Sequence, residues 1–211
     1  MKKKTKMILA ALFCLLLILA TACGTKAPVA DTAAAADEEI KLLDENTTYE
    51  AVIEVENYGN IVFTLRQDAA PVSAANFVSL AKEGFYDGLT FHRIINGFMI
   101  QGGDPNGNGS GGSGKSITGE FKSNGHDNPI SHVRGVVSMA RAQDPNSGSS
   151  QFFIVQTDST YLDGDYAAFG EVTEGMDVVD QICSQVPVQD KNGTVAAADQ
   201  PVITSVTIRE K

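Results

Sequence analysis

From residue 47 to residue 211 the chain is a succession of short apolar segments broken by glycine- or proline-rich turns, with only two stretches of helical periodicity. Tyr49, Ala51, Ile53 and Val55 alternate with polar or smaller residues, Tyr58-Gly59-Asn60 turns the chain, and Ile61, Phe63 and Leu65 alternate back. That is a β-hairpin. Further strands are expected around 90–95, 97–101, 135–140, 151–155, 168–172 and 202–209. Asp68-Ala69-Ala70-Pro71 opens a helix, with proline in the first turn, where its missing N–H costs nothing. Ala74, Phe77, Val78 and Ala81 form its apolar stripe, and Gly84 marks its stop. A second helix is expected over about 174–184, with Met176, Val179, Ile182 and Cys183 turned inward, so that Cys183 packs rather than reacts. The class is mainly β. Many short strands with two helices suit a closed antiparallel barrel capped at its ends, although patterning alone does not separate it from a sandwich.

The start of the chain follows other rules. Lys2, Lys3, Lys4 and Lys6 precede an apolar run from Met7 to Ala20, and Ala20-Thr21-Ala22 leads into Cys23. A basic region, a short apolar core and small residues before a cleavage point make residues 1–22 a signal peptide, too short to remain as a membrane span. Cys23 resembles the lipid-attachment cysteine of bacterial lipoproteins, with Ala20 where a leucine is usual. Ala20-Thr21-Ala22 equally fits free secretion after cleavage at the same bond. Residues 23–46, rich in Ala, Asp, Glu and Thr, read as a flexible tether with a reach of roughly 25–30 Å. The expected location is extracytoplasmic, held to the membrane through the lipid alone.

Removing residues 1–22 takes four of the 16 basic residues and none of the 26 acidic ones, moving the formal charge from −10 to −14. Such a surface repels nucleic-acid phosphates. Cys183 is then the one remaining thiol, so no disulfide framework and no metal-ligand spacing exist; neither cofactor nor metal is expected. Gly109-Ser110-Gly111-Gly112-Ser113-Gly114-Lys115-Ser116 matches the spacing of a phosphate-cradling loop. That chemistry needs a helix immediately after the loop, and Ile117-Thr118-Gly119-Glu120-Phe121 carries no helical stripe. Residues 102–119 are expected to wrap the surface instead.

Two segments carry the chemistry. Phe91-His92-Arg93-Ile94-Ile95-Asn96-Gly97-Phe98-Met99-Ile100-Gln101 places an arginine and a glutamine among large apolar residues on two short strands around an Asn-Gly turn. Alternation puts Arg93 and Ile95 on one face, His92 and Ile94 on the other; beyond the turn Met99 and Gln101 share a face, Phe98 and Ile100 the opposite one. Downstream, Ser138-Met139-Ala140-Arg141-Ala142 leads through a polar turn to Gly148-Ser149-Ser150-Gln151-Phe152-Phe153-Ile154. Together these resemble the cyclophilin family of peptidyl-prolyl cis–trans isomerases, over about residues 49–211.

The resemblance implies a closed eight-stranded barrel capped by two helices, and an enzyme that rotates X–Pro bonds in proline-containing polypeptides as a monomer. It implies Arg93 as the catalytic donor, Gln101 as its orienting partner, and a proline pocket of Phe98, Met99, Phe153 and Leu162. His92 would lie beside the site, and Ala140, Arg141, Ala142 and Gln151 would line the peptide groove. Departures are Tyr161 for a tryptophan that binds cyclosporin, leaving at most weak drug binding, Tyr166 for a histidine, Arg141 for an asparagine and Asn96 for a proline. A peptide-binding scaffold using the same groove without turnover is the alternative; an intact Arg93 with Gln101 favours the enzyme.

Overall fold

The computed structural model describes residues 40–211; the expected signal peptide, Cys23 and the part of the expected tether up to residue 39 lie outside the described residues. Strands β1 (Tyr49–Val55) and β2 (Gly59–Leu65) form the first hairpin, with Ala51 opposite Phe63 and Ile53 opposite Ile61. Asn57 takes a left-handed φ of 64°, a conformation its short polar side chain tolerates, and the second strand begins already at Gly59. The other strands are β3 (Phe91–Ile95), β4 (Met99–Gly102), β5 (Val136–Met139), β6 (Phe152–Val155), β7 (Ala168–Glu174) and β8 (Ile203–Glu210). All pair antiparallel in one eight-stranded sheet of order β3-β4-β6-β5-β7-β2-β1-β8.

This corrects the expectation of a fully closed barrel. The sheet curls, but its end strands β3 and β8 share no ladder; a single bridge, Thr90 to Val202, joins their approaches. Two local causes are visible. Pro201 accepts from the Phe91 N–H at 3.0 Å and has no N–H to return, which interrupts pairing there. The free edge of β3 is instead taken by residues 193–195: Ile94 N donates to Gly193 O at 2.8 Å, and Val195 N donates to His92 O at 3.1 Å. Only glycine fits at 193, where φ is +80° and a Cβ would stand 2.3 Å from Ile94 O.

Helix α1 (Pro71–Lys82) lies against β7 and β8, and α2 (Met176–Gln185) against β2, β3 and β4. On α2 the buried residues are Val178, Val179, Ile182 and Cys183, and burial pushes the Cys183 thiol up to about 12, consistent with a packing role. Helix α1 starts at Pro71 without a side-chain cap of its own. Its first amides are capped from a distance: buried Glu120 accepts from Val72 N and Ser73 N at 2.8 Å each and from Ser73 Oγ at 2.7 Å. Removing that carboxylate orphans three donors in a dry place. Glu120→Ala is therefore expected to lower stability by about 3 kcal/mol, and Glu120→Gln, which keeps one acceptor, by about half of that, as read from urea unfolding midpoints.

The barrel interior is filled by the main apolar cluster, in which Phe63, Phe77, Tyr86, Phe152 and Phe169 are fully buried and pack ring against ring. A second, smaller cluster contains Met99, Phe153, Val155, Val136 and Ala168. Alternation along β6 separates the two: Phe152 and Ile154 belong to the first, Phe153 and Val155 to the second. The second cluster covers the outer face of β4, β6 and β5, and the functional site is built there.

Candidate functional site

The cross-strand register sets four side chains in one row. Arg93 on β3 stands opposite Gln101 on β4, Gln101 opposite Phe153 on β6, and Phe153 opposite Ser138 on β5. Neighbouring strands are about 4.8 Å apart, so the row spans the floor of a groove. Arg93, Phe98, Met99 and Gln101 line one part of a cavity of about 290 Å3, and Ala140, Arg141, Phe153, Leu162 and Tyr166 line the rest. Its floor is Met99 and Phe153, respectively 1% and 5% exposed, so the base of the pocket is apolar.

Arg93 is held at both ends of its fork. Nε donates to the Asn192 carbonyl at 2.8 Å and Nη1 donates to Gln101 Oε1 at 3.0 Å. Gln101 is held in turn, its Nε2 donating to Gln151 Oε1 at 2.9 Å, and Gln151 Nε2 donates to the Gly111 carbonyl at 2.8 Å. Burial lowers the Arg93 pKa from its ordinary value, with Tyr166, Tyr161 and Asp190 opposing the shift. A guanidinium nonetheless stays charged. The result is a fixed cation beside an apolar floor, with its orientation set by three successive hydrogen bonds.

The second groove segment, of about 170 Å3, is lined by Ala142, Gln151, Gly109, Ser147 and Ser149 and shares Gln101, Ala140 and Arg141 with the first. Arg141 sits between two rings, 5.1 Å from the centre of Phe121 and 4.8 Å from that of Tyr166, while its Nε donates to the Asp165 carbonyl at 2.9 Å. This cation–π clamp orders the rim. Tyr161 is 70% exposed, and its ring centre lies 6.0 Å from that of Phe98.

The profile described as "Cyclophilin type peptidyl-prolyl cis-trans isomerase/CLD" matches residues 51–209. The chain belongs to the cyclophilin family. Among its relatives, a peptidyl-prolyl cis-trans isomerase of Helicobacter pylori is 48% identical over 128 residues, 60% of this chain and 76% of that protein. Peptidyl-prolyl cis-trans isomerase B of Bacillus subtilis is 48% identical over 123 residues, 58% of this chain and 82% of the relative. A crystal structure of a cyclophilin type isomerase from Cryptosporidium parvum superposes with a TM-score of 0.68 at 32% identity, covering 78% of this chain and 99% of that one. The same protein in the presence of the dipeptide Ala-Pro gives 0.67 at 32% identity, covering 77% and 99%.

One side chain expected in the pocket lies elsewhere than the alternation predicts. Phe98 packs against the same cluster as Met99, not with Ile100 in the barrel core. It belongs to the turn, its N–H donating to Ile95 O at 2.9 Å, and strand alternation starts only at Met99. His92, on β3 next to Arg93, lines the cavity beside that of Met99 and Phe153. The glycine-rich loop has a use of its own. Asp104 accepts from Asn106 N at 2.8 Å, Asn108 N at 3.0 Å and Gly109 N, so its carboxylate pins the start of the loop.

A network that sequence reasoning missed stands behind the groove. His132 stacks on Phe153, ring centres 6.1 Å apart at 17°. Its Nδ1 lies 2.9 Å from Asp163 Oδ1 and its Nε2 3.0 Å from Ser138 Oγ. A carboxylate only accepts, so Nδ1 carries the proton and Ser138 donates to Nε2. The order of groups is that of a hydrolytic triad, but Ser138 is 0% exposed and no substrate carbonyl can meet it. The network instead fixes the wall that carries Phe153. No short motif could have revealed it, because His132 and Asp163 are 31 residues apart.

Burial holds His132 below the ordinary histidine value of 6.5, with Asp163 opposing, and burial acts on His92 in the same direction. As pH falls below 6.5, the unfolded chain takes up protons that the native state still refuses. Stability present above 6.5 is therefore lost as pH drops towards the native values of these histidines. Urea midpoints are expected to fall between about pH 7.5 and about pH 5.5, and a His132→Gln variant to show a shallower fall. An equal slope in the variant would remove His132 from this account.

Proposed function

We propose that the protein accelerates X–Pro isomerisation during the folding of exported polypeptides, with Arg93 as the group that favours the twisted imide. Amide resonance sets a barrier of roughly 18–20 kcal/mol and relaxation times of about 10–100 s without help. Reaching milliseconds means lowering the barrier by roughly 5–7 kcal/mol. No bond is made or broken, so no nucleophile, acid or metal is called for. As the bond twists, the imide nitrogen loses conjugation and gains basicity, so a fixed N–H donor aimed at it binds that state better than either planar one. The doubly anchored Arg93 guanidinium beside the apolar Met99–Phe153 floor is the observation that carries this reading.

Phe98 and Leu162 would close the proline pocket, and Ala140, Arg141, Ala142 and Gln151 would grip the flanking main chain. Tyr161 presents a phenol where cyclosporin binding uses an indole N–H, in keeping with weak drug binding. Export follows from the signal peptide at 1–22, and membrane attachment from lipidation of Cys23; the enzyme acts as a monomer. The test is isomerisation of an X–Pro peptide by the full chain. Turnover above the uncatalysed rate supports the enzyme, whereas a folded chain that binds the peptide without turnover would make it a scaffold.

A further inference from the structure

On the far side of Arg93 from the proline pocket lies another cavity, of about 430 Å3, which no step of the isomerisation uses. We propose that this cavity is an extended subsite that binds the substrate chain beyond the residues held at the prolyl bond, through its main-chain amides and uncharged polar side chains. The proposal rests on the isomerase reading.

Continuity comes first. Arg93 and Gln101 line both cavities, so a polypeptide lying along the catalytic groove runs on into the second without leaving the surface of the row. Its walls are two pinned loops. Asp104 holds residues 106–109 through their amides, as described above. Asp190 holds the other wall, accepting from Asn192 N at 2.8 Å and from Thr194 Oγ1 at 2.9 Å. Gln200 ties the walls together, its Nε2 donating to Gly107 O at 2.9 Å and Val195 O at 3.1 Å. A site built before its ligand arrives avoids the ordering cost of binding.

The lining identifies the ligand class. Asn106, Asn108, Gln189, Asn192 and Thr194 supply amide and hydroxyl groups that both donate and accept, and no carboxylate lines the cavity. That set does not suit a metal ion, and the amides of Asn106, Asn108 and Gly109 are already taken by Asp104. It suits an amide. His92 adds an independent sign. It lines this cavity, is 4% exposed, and neither ring nitrogen has a hydrogen-bond partner among the described residues. Burial keeps the ring neutral, leaving one donor and one acceptor unpaired inside the wall of this cavity.

The test compares two substrates of the full chain: a tetrapeptide containing Ala-Pro, and a longer peptide with the same bond flanked by about five uncharged polar residues on each side, long enough at roughly 3.3 Å per residue to enter the cavity. The longer peptide is expected to have a KM about tenfold lower, because uniform binding acts on KM and not on kcat. Ala197→Trp, which fills the cavity, is expected to abolish that gain while leaving tetrapeptide turnover unchanged; Ala197→Ser should keep it. Gln189→Leu, at an exposed position, should lose part of it and guards against a misfolded tryptophan variant. Equal KM values for the two peptides, or a full gain retained in Ala197→Trp, would overturn the subsite. Absence of tetrapeptide turnover would instead sink the isomerase reading, and the side-chain amide signals of Asn106, Asn108 and Gln200 would then decide the cavity alone. Shifts on adding the longer peptide would support it and unmoved signals would overturn it.

Discussion

Replacing Arg93 with alanine is expected to lower kcat/KM for an X–Pro peptide by about a hundredfold, or ~2.7 kcal/mol of transition-state stabilisation, with the circular dichroism spectrum unchanged. The size follows from the role. A donor that meets the imide nitrogen only when the bond is twisted acts on the transition state and hardly on the ground state, so the loss should fall on kcat more than on KM. Arg93→Lys should recover little. A lysine keeps the charge but has no planar fork, and it cannot donate to Asn192 O and Gln101 Oε1 while also facing the groove. The fold should survive both changes, because Arg93 is only half-buried and its neighbours His92 and Ile94 carry the packing of β3. Wild-type turnover in Arg93→Ala would remove the residue from the mechanism and return the weight of catalysis to the apolar pocket.

The largest loss of stability is expected from Phe77→Ala. Phe77 projects from α1 into the barrel, and its ring centre lies 5.3 Å from Phe63, 4.9 Å from Tyr86 and 5.4 Å from both Phe152 and Phe169. All of these rings are 0% exposed, so the hole left behind cannot be filled by water or by a small rearrangement. A cost of about 4 kcal/mol is expected, a large share of the roughly 5–15 kcal/mol that holds a domain folded. Denaturant unfolding should show a lowered midpoint with an unchanged slope. Turnover per folded molecule should be retained, since Phe77 belongs to the interior cluster and the groove is built on the outer one. An unchanged midpoint would mean that α1 can repack over the gap.

Local pattern made much of the fold legible. The hairpin of β1 and β2, the proline-led start of α1 at Pro71, the inward Val179, Ile182 and Cys183 of α2 and the placement of the short strands all follow from periodicity and turn chemistry. Where local pattern misled, the cause is specific. Strand alternation gives Phe98 a face with Ile100, but Phe98 sits in a turn. The remote cap of α1 by Glu120 has no signature near the helix, because its 47-residue separation is closed only by the fold.

The groove shows the same division. Within 91–104 and 138–154 alternation shows which side chains of each short strand share a face, while the groove and the role of its arginine are what the resemblance to cyclophilins implies. Periodicity says nothing about which strands become neighbours or in what register. That Arg93, Gln101, Phe153 and Ser138 form one row depends on pairings across β3, β4, β6 and β5, fixed by hydrogen bonding and packing between segments far apart in the chain. The His132–Asp163 support behind Phe153 has the same origin, as does the capture of the β3 edge by residues 193–195, which leaves the barrel unsealed and makes a wall of the neighbouring cavity. The sequence by itself determined the elements and the kinds of side chain on each face. The tertiary structure alone decided which of them meet, since those meetings are set by long-range contacts that no local run of residues encodes.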